Sequence, residues 1–403
     1  MQSLLKCSPM KVWAQCSINM AENTKQLDSE YIVHTYARQD VTFVKGKGSY
    51  LYDDKGKRYI DFGAGIAVNG LGHNNKAWVD AVTKQVKTIA HTSNLYYSEP
   101  CAVLAEKLCK KAGMKKVFFG NSGAEANECA IKTARKYASD KGKGTDIITL
   151  VNSFHGRTMA TLTATGQDSL HKFFNPFLDG FKYVEAGNID ALKEACDDNT
   201  CAIMFELVQG EGGVVALDKD YVKKVEEFAK SKDILLIIDE VQTGNGRTGT
   251  FFAYEQYGIK PDILTTAKGL ANGIPIGACM FNEKTENVLT PGTHGSTFGA
   301  NLLACAGAIA TIDQIDDALL KDVQRKSEII KEALLKCSKV KSVSGLGLMI
   351  GIEVDDAKKV LQKCLKKKLV VLTAHDRVRL LPPLNIDDNS LTKGLSILCE
   401  VLK

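Results

Sequence analysis

The sequence predicts an α/β fold whose strands are buried on both faces and carry their functional residues at their carboxyl ends. Three stretches predict it. Ile234-Leu235-Leu236-Ile237-Ile238 is a continuous apolar run ending in Asp239 and Glu240, the pattern of a strand covered on both sides. Ile263-Leu264-Thr265 is a second short run and leads to Ala267-Lys268-Gly269-Leu270. Val117-Phe118-Phe119-Gly120 is a third, passing through Asn121-Ser122-Gly123 into a helix with Ala126, Ala130, Ile131 and Ala134 on one face. Open α/β sheets bind ligands in the crevice outside their strand ends, which is where Asp239 and Lys268 are expected.

Lys268 follows Asp239 by 29 residues, so an amine and an acid end adjacent strands. A lysine amine can condense with an aldehyde, and pyridoxal phosphate also has a ring nitrogen that must stay protonated to draw electrons. A buried carboxylate beside that nitrogen keeps it charged, each pKa unit being worth about 1.36 kcal/mol. An apolar run ending in Asp-Glu also describes the Mg-binding strand of a P-loop ATPase. That reading lacks its phosphate loop: the Gly-Lys pairs at 46–47, 56–57 and 142–143 are followed by Gly48, Arg58 and Gly144, never by Ser or Thr.

With 403 residues, 44% hydrophobic and 25% charged, the chain has room for one large α/β domain and a smaller one and has an ordinary globular composition. The net charge of +5 is modest, and the one lysine run, Lys366-Lys367-Lys368, reads as a solvated helix face, so nucleic acid is not an expected partner. No apolar run reaches the roughly 18 residues of a membrane span. The twelve cysteines include no Cys-x-x-Cys pair and no zinc spacing, which points to free thiols in a reducing compartment and to no metal. Residues 1–26 read as an N-terminal extension, acid-free over the first 21 and with no secretory core; a cytoplasmic location is expected, or the mitochondrial matrix if they are a transit peptide.

Residues 27–75 alternate short strands and turns and read as a small antiparallel cap, the N-terminal part of a small domain. Residues 76–90 and 100–113 have helical spacing and open a large domain expected over 76–310. Tyr96 and Tyr97 in the loop between them suit either a site wall or simple packing. Backbone N–H groups of Gly123 and Ala124, at the start of a helix, suit a phosphate, although Ser-Gly there is also an ordinary N-cap. Strand 147–151 leads to Phe154, placed to stack on a flat ring, and Arg157, whose planar fork of donors suits a carboxylate; the plain alternatives are a core phenylalanine and a surface arginine. Strand 202–206 leads to Glu211 in the same crevice. Residues 311–403 form the C-terminal part of the small domain, with a long helix over 313–337 and strands 343–354 and 370–381 around a helical stretch at 355–368.

The motifs Asn121 to Asn127, Ser153 to Thr158, Gln209 to Gly213, Asp239 to Gly244, Ala267 to Leu270 and Gly295 to Gly299 together resemble the class III, ornithine-type pyridoxal-phosphate aminotransferases. The likeness runs from about Tyr31 to Leu402. Within that class, Phe62 to Asn69, Leu71-Gly72-His73 and the Ser93 to Tyr97 loop are most similar to the acetylornithine branch. The chain departs from the class at Leu207 and Asn74, where proline is usual.

The resemblance implies a fold-type I homodimer with a seven-stranded, mostly parallel cofactor domain and a small α+β domain from both chain ends. It implies that Lys268 holds pyridoxal 5'-phosphate and moves the proton, and that Asp239 faces the ring nitrogen. Gln242 approaches the ring hydroxyl, and Val241 and Phe154 pack the two ring faces. Gly123 and Ala124 bind the phosphate together with Thr297 of the second subunit, beside Ser296. Arg157 and Arg379 clamp carboxylates, and Glu211 pairs with Arg379. The implied reaction passes the terminal amine of N2-acetylornithine to 2-oxoglutarate, with ornithine, succinylornithine or 4-aminobutyrate as alternative donors.

Overall fold

The computed structural model describes residues 24–403. Its centre is a seven-stranded sheet in the order Lys116–Gly120, Gly277–Phe281, Ile263–Thr266, Leu235–Asp239, Thr200–Phe205, Asp146–Leu150, Phe181–Val184. Gly277–Phe281 runs antiparallel to both neighbours; the other pairings are parallel. Every residue of Leu235–Asp239 is buried, which is why that strand reads as an unbroken apolar run. In register, Asp239 lies beside Thr265 and Ile238 beside Phe205, so the ends of three strands meet at one edge.

Helix Gly123–Ser139 packs its stripe of Ala126, Ala130, Ile131 and Ala134 on this sheet. Leu302–Ile312 packs against helices Lys76–Thr88 and Glu99–Ala112. No helix among the described residues is long and apolar enough to cross a membrane.

The chain ends build a separate core. Phe43–Lys47, Tyr50–Asp53 and Arg58–Asp61 form the expected antiparallel strands, and Leu369–Val370 adds to them in parallel, pairing Leu369 with Ile60. A second sheet runs Ser342–Leu346, Met349–Glu353, Arg377–Leu380, Leu372–Ala374. Between them, Ile60 and Phe62 share one apolar cluster with Ile330, Ile350, Leu380 and Leu398.

Four local expectations are corrected. Residues 24–31 are helical, so the strand-and-turn segment expected from residue 27 opens instead on the end of a helix. The long helix over 313–337 is instead Asp317–Leu334, started by the Asp316 side chain accepting from the Leu319 N–H at 2.8 Å. The strand over 343–354 folds into a hairpin at Gly347, which has φ +55° and lies so close to Thr248 that a Cβ would sit 2.4 Å from its carbonyl carbon. The strand over 370–381 likewise turns at His375, φ +50°. Both departures from the proline pattern have local consequences. Asn74 takes φ +57°, closed to a proline locked near −65°, and Asn75 beside it caps the next helix by accepting from the Trp78 N–H. Leu207 is fully buried, its carbonyl accepting from the Tyr257 hydroxyl at 3.2 Å.

Candidate active site

Asp239 ends its strand 3% exposed and accepts three hydrogen bonds. Oδ1 takes the Val241 N–H at 2.9 Å; Oδ2 takes Asn127 Nδ2 and His155 Nδ1, each at 2.8 Å. Asn127 is itself fixed, donating to the His155 carbonyl at 2.7 Å and accepting from the Thr265 hydroxyl at 2.7 Å. The carboxylate is thereby held in one orientation by a helix, a loop and a neighbouring strand. His155 Nε2 is buried without a hydrogen-bond partner among the described residues.

Lys268 stands one residue past Ala267, at the end of the strand beside Asp239, and takes φ +34°. A left-handed lysine costs on the order of 1–2 kcal/mol, a strain that persists only where the surroundings over-determine it. Burial lowers its pKa below the ordinary lysine value; the charges of Glu211, Asp239 and Glu206 oppose that, and Arg379 adds to it.

Both groups line a cavity of about 480 Å³ together with Asn121, Ser122, Gly123, Ala124, Phe154, Arg157, Val241 and Gln242. The helix that starts at Gly123 turns its free N–H groups to this space, while the Ser122 hydroxyl caps it by accepting from the Glu125 N–H at 3.1 Å. Gly123 is required there, since a Cβ would lie 2.6 Å from Val241 Cγ1. The N-cap is present, and the same turn lines the cavity.

Glu206, at the end of the strand next to Asp239, was not singled out by the sequence and lines the same cavity. Its Oε1 accepts from the Phe154 N–H at 2.8 Å and its Oε2 from the Gly210 N–H at 3.1 Å, so one carboxyl positions both the Phe154 ring and the Glu211 turn. Burial pushes its pKa up to about 7, with the Asp239 charge adding to the rise and His155 opposing it.

Arg379 and Glu211 form a two-point ion pair, Nη1 to Oε1 at 2.6 Å and Nη2 to Oε2 at 3.3 Å. Gln242 Oε1 accepts from the same Nη1 at 3.3 Å. Arg157 lies exposed at the rim, its guanidinium carbon 5.5 Å from the Phe154 ring centre. An outer chamber of about 660 Å³ continues from Lys268 past Arg157 and Glu211 to Tyr36 and His375.

Ser296 and Thr297 are not brought to this cavity within one chain. They line a separate recess with Asn94 and Cys101, the Ser296 hydroxyl accepting from Asn121 Nδ2 at 3.2 Å and from the Gly299 N–H at 2.9 Å. Tyr96 and Tyr97 are exposed and line neither space. Ten cysteines among the described residues are free thiols.

One cavity is thus lined by a buried carboxylate, a half-buried lysine and the first residues of a helix. The profile of the family described as Aminotransferase class-III matches residues 32–402, and the chain belongs to that family. It is 50% identical over 388 residues to an acetylornithine aminotransferase of Haemophilus ducreyi, covering 95% of this chain and 99% of that one. It is 46% identical over 376 residues to one of Aquifex aeolicus, covering 92% and 100%. Among solved structures, an ornithine aminotransferase from Toxoplasma gondii superposes with a TM-score of 0.92 at 31% identity, covering 98% of each chain. A second T. gondii ornithine aminotransferase structure, TM-score 0.91 at 31% identity and 98% of each chain, has partial occupancy of PLP at its active site. N-acetylornithine aminotransferase from Stenotrophomonas maltophilia gives 0.81 at 34% identity, covering 93% and 97%.

Proposed function

We propose that the chain is a pyridoxal-phosphate-dependent aminotransferase that moves the terminal amine of N2-acetyl-L-ornithine to 2-oxoglutarate, giving N-acetyl-L-glutamate 5-semialdehyde and L-glutamate. The observation that carries this is Asp239, held by Asn127 and His155 in the same cavity as a half-buried Lys268, in a chain half identical to an acetylornithine aminotransferase.

The residues fit pyridoxal phosphate: a helix start for the phosphate, a ring and a valine for the flat heterocycle, an acid for the ring nitrogen and an amine for the aldehyde. When bound, the cofactor supplies an electron-accepting ring that stabilises negative charge on the carbon losing its proton. Asp239 holds the ring nitrogen protonated. Gly123 and Ala124 hold the phosphate, with Thr297 reaching the site of the other subunit in a homodimer. Phe154 and Val241 flank the ring and exclude water, and Gln242 meets its hydroxyl. Lys268 Nζ, its proton affinity lowered by burial, would serve as the base that takes the proton from the donor's terminal carbon and as the acid that gives it back. Arg157 holds the carboxylate far from the reaction, and Ser296, beside Thr297, is a further substrate contact from the other subunit. Glu211 covers Arg379 while the donor is bound and releases it to the carboxylate adjacent to the ketone of 2-oxoglutarate. We divide the chain into a small domain from 27–75 and 311–403, a large domain over 76–310 and an extension over 1–26, of which 1–23 lie outside the described residues.

The second reading, ornithine 5-aminotransferase, is favoured by the superposition on the T. gondii ornithine enzyme. Steady-state rates with N2-acetylornithine, ornithine, succinylornithine and 4-aminobutyrate separate the two. The highest kcat/KM is expected for N2-acetylornithine, and preference for free ornithine selects the alternative.

A further inference from the structure

Beyond the cofactor cavity, the outer chamber shares Val68, Phe154, Arg157 and Lys268 with it and adds a wall that the roles above leave unassigned. Ile66, Gln167 and His375 form part of that wall. The acid on it among the described residues is Glu211, and both of its oxygens are held by Arg379.

Each of the three side chains is set up by the local backbone. Ile66 sits in a left-handed turn in which Ala64, Ile66 and Ala67 have φ of 44°, 65° and 62°. Residues with a Cβ rarely adopt that conformation, and this turn is pinned by Asp61, whose buried Oδ1 accepts from the Gly63 and Ala64 N–H groups at 2.8 and 2.9 Å. The strain leaves Ile66 42% exposed, facing the chamber. Gln167 is 8% exposed and donates Nε2 to the Ser153 carbonyl at 2.9 Å, so the amide oxygen is the end it has free. His375 is exposed at the tight turn three residues after Leu372 and makes no hydrogen bond to a described residue.

A donor held by its α-carboxylate on Arg157 places its α-nitrogen in this chamber. A free α-ammonium there gives up water for a surface with no unpaired acid, next to the Arg157 charge. An α-amide carries no charge and needs one acceptor, one donor and an apolar surface. We propose that Gln167, His375 and Ile66 form an acyl-amide subsite that selects α-N-acylated donors over free amino acids. The Gln167 oxygen accepts the amide N–H, a His375 ring N–H donates to the acyl oxygen, and Ile66 packs the acyl carbon chain. This deepens the reading of the chain as an acetylornithine-type transaminase and rests on it.

The test is kcat/KM of the cofactor-loaded full-length protein for N2-acetylornithine and for ornithine, each with saturating 2-oxoglutarate, in wild type, His375→Ala and His375→Glu. His375→Ala is expected to lower the value for N2-acetylornithine by about tenfold, through KM, while that for ornithine stays within about twofold. His375→Glu supplies the missing acid and is expected to raise ornithine use by about tenfold. A wild type that favours N2-acetylornithine together with equal losses for both donors in His375→Ala, or no change for either, overturns the subsite alone. A wild type that favours free ornithine overturns the functional reading and this inference with it. Melting temperatures and bound-cofactor absorbance of each variant identify any loss that comes from misfolding, and Gln167→Glu, expected to shift the same ratio toward ornithine, then repeats the test.

Discussion

Arg379 and Glu211 face each other across 168 residues of sequence, one on a strand of the C-terminal sheet and the other on a turn beyond the central one, with both carboxylate oxygens on the guanidinium. Arg379 is 3% exposed, so its charge is hidden while the pair is intact. The donor has its carboxylate far from the reacting amine, and 2-oxoglutarate has one beside the reacting carbon; a covered arginine suits the first and an uncovered one the second. Glu211→Ala is therefore expected to slow the half-reaction with N2-acetylornithine by about tenfold or more, while the reaction with the α-amine of glutamate holds or improves. Single-turnover absorbance with each amino donor measures both, and equal losses for the two contradict the switch.

Asp239→Asn keeps the shape of the carboxylate and removes its charge. Turnover is expected to fall by orders of magnitude with the cofactor still bound. His155→Phe removes one of the donors that orient Asp239 and is expected to give a smaller loss in kcat with KM little changed. Near-normal turnover of Asp239→Asn contradicts the assignment.

Glu240, next in sequence, does different work. Its carboxylate accepts from the Thr243 hydroxyl at 2.7 Å and from the Ala253 and Tyr254 N–H groups at 2.9 and 2.7 Å, tying down the loop after the strand. Glu240→Gln turns an N–H₂ toward one of these donors and is expected to destabilise the fold by about 1–3 kcal/mol in denaturant titration, with activity per folded molecule retained. Loss of activity without loss of stability contradicts a structural role.

Glu206 gives the pH prediction. Its folded pKa of about 7 lies above the unfolded carboxyl value of roughly 4.3. Below roughly 4.3 both states hold the proton and the group contributes nothing to the pH slope. Between there and about 7 the unfolded state has released it and the folded state has not, so stability falls as pH rises through that window. The stability of wild type relative to Glu206→Gln is expected to decline from pH 5 to pH 8. Denaturant midpoints of both proteins at the two values check it; a constant difference contradicts the raised pKa.

Asp239 and Lys268 were legible because a strand buried on both faces admits a polar residue only at its end, so the last residue of an apolar run is conspicuous. Glu206 follows the same rule, as the acid directly after the apolar strand Thr200–Phe205. Asn127 also left a signal, as a polar residue buried among Ala126, Ala130 and Ile131 on the stripe of its helix. His155 left none, since its partner Asp239 is 84 residues away and only the sheet order joins them. The two hairpins of the C-terminal sheet were hidden for a related reason: each turns on a single residue, Gly347 or His375, inside a run that otherwise reads as one strand. Tyr36 reaches the outer chamber from an irregular exposed segment whose path no local pattern determines.

The measurement that bears most directly on the proposed chemistry is borohydride reduction of the cofactor-loaded protein, before and after N2-acetylornithine, in wild type and Lys268→Ala. In wild type, peptide mapping should find the phosphopyridoxyl mass on Lys268 before the donor is added and lose it from Lys268 afterwards, with the semialdehyde product formed once per site. Lys268→Ala should give no lysine adduct and no product. An adduct on any other lysine, or semialdehyde formed by Lys268→Ala at the wild-type rate, contradicts the assignment of this cavity as the site of transamination.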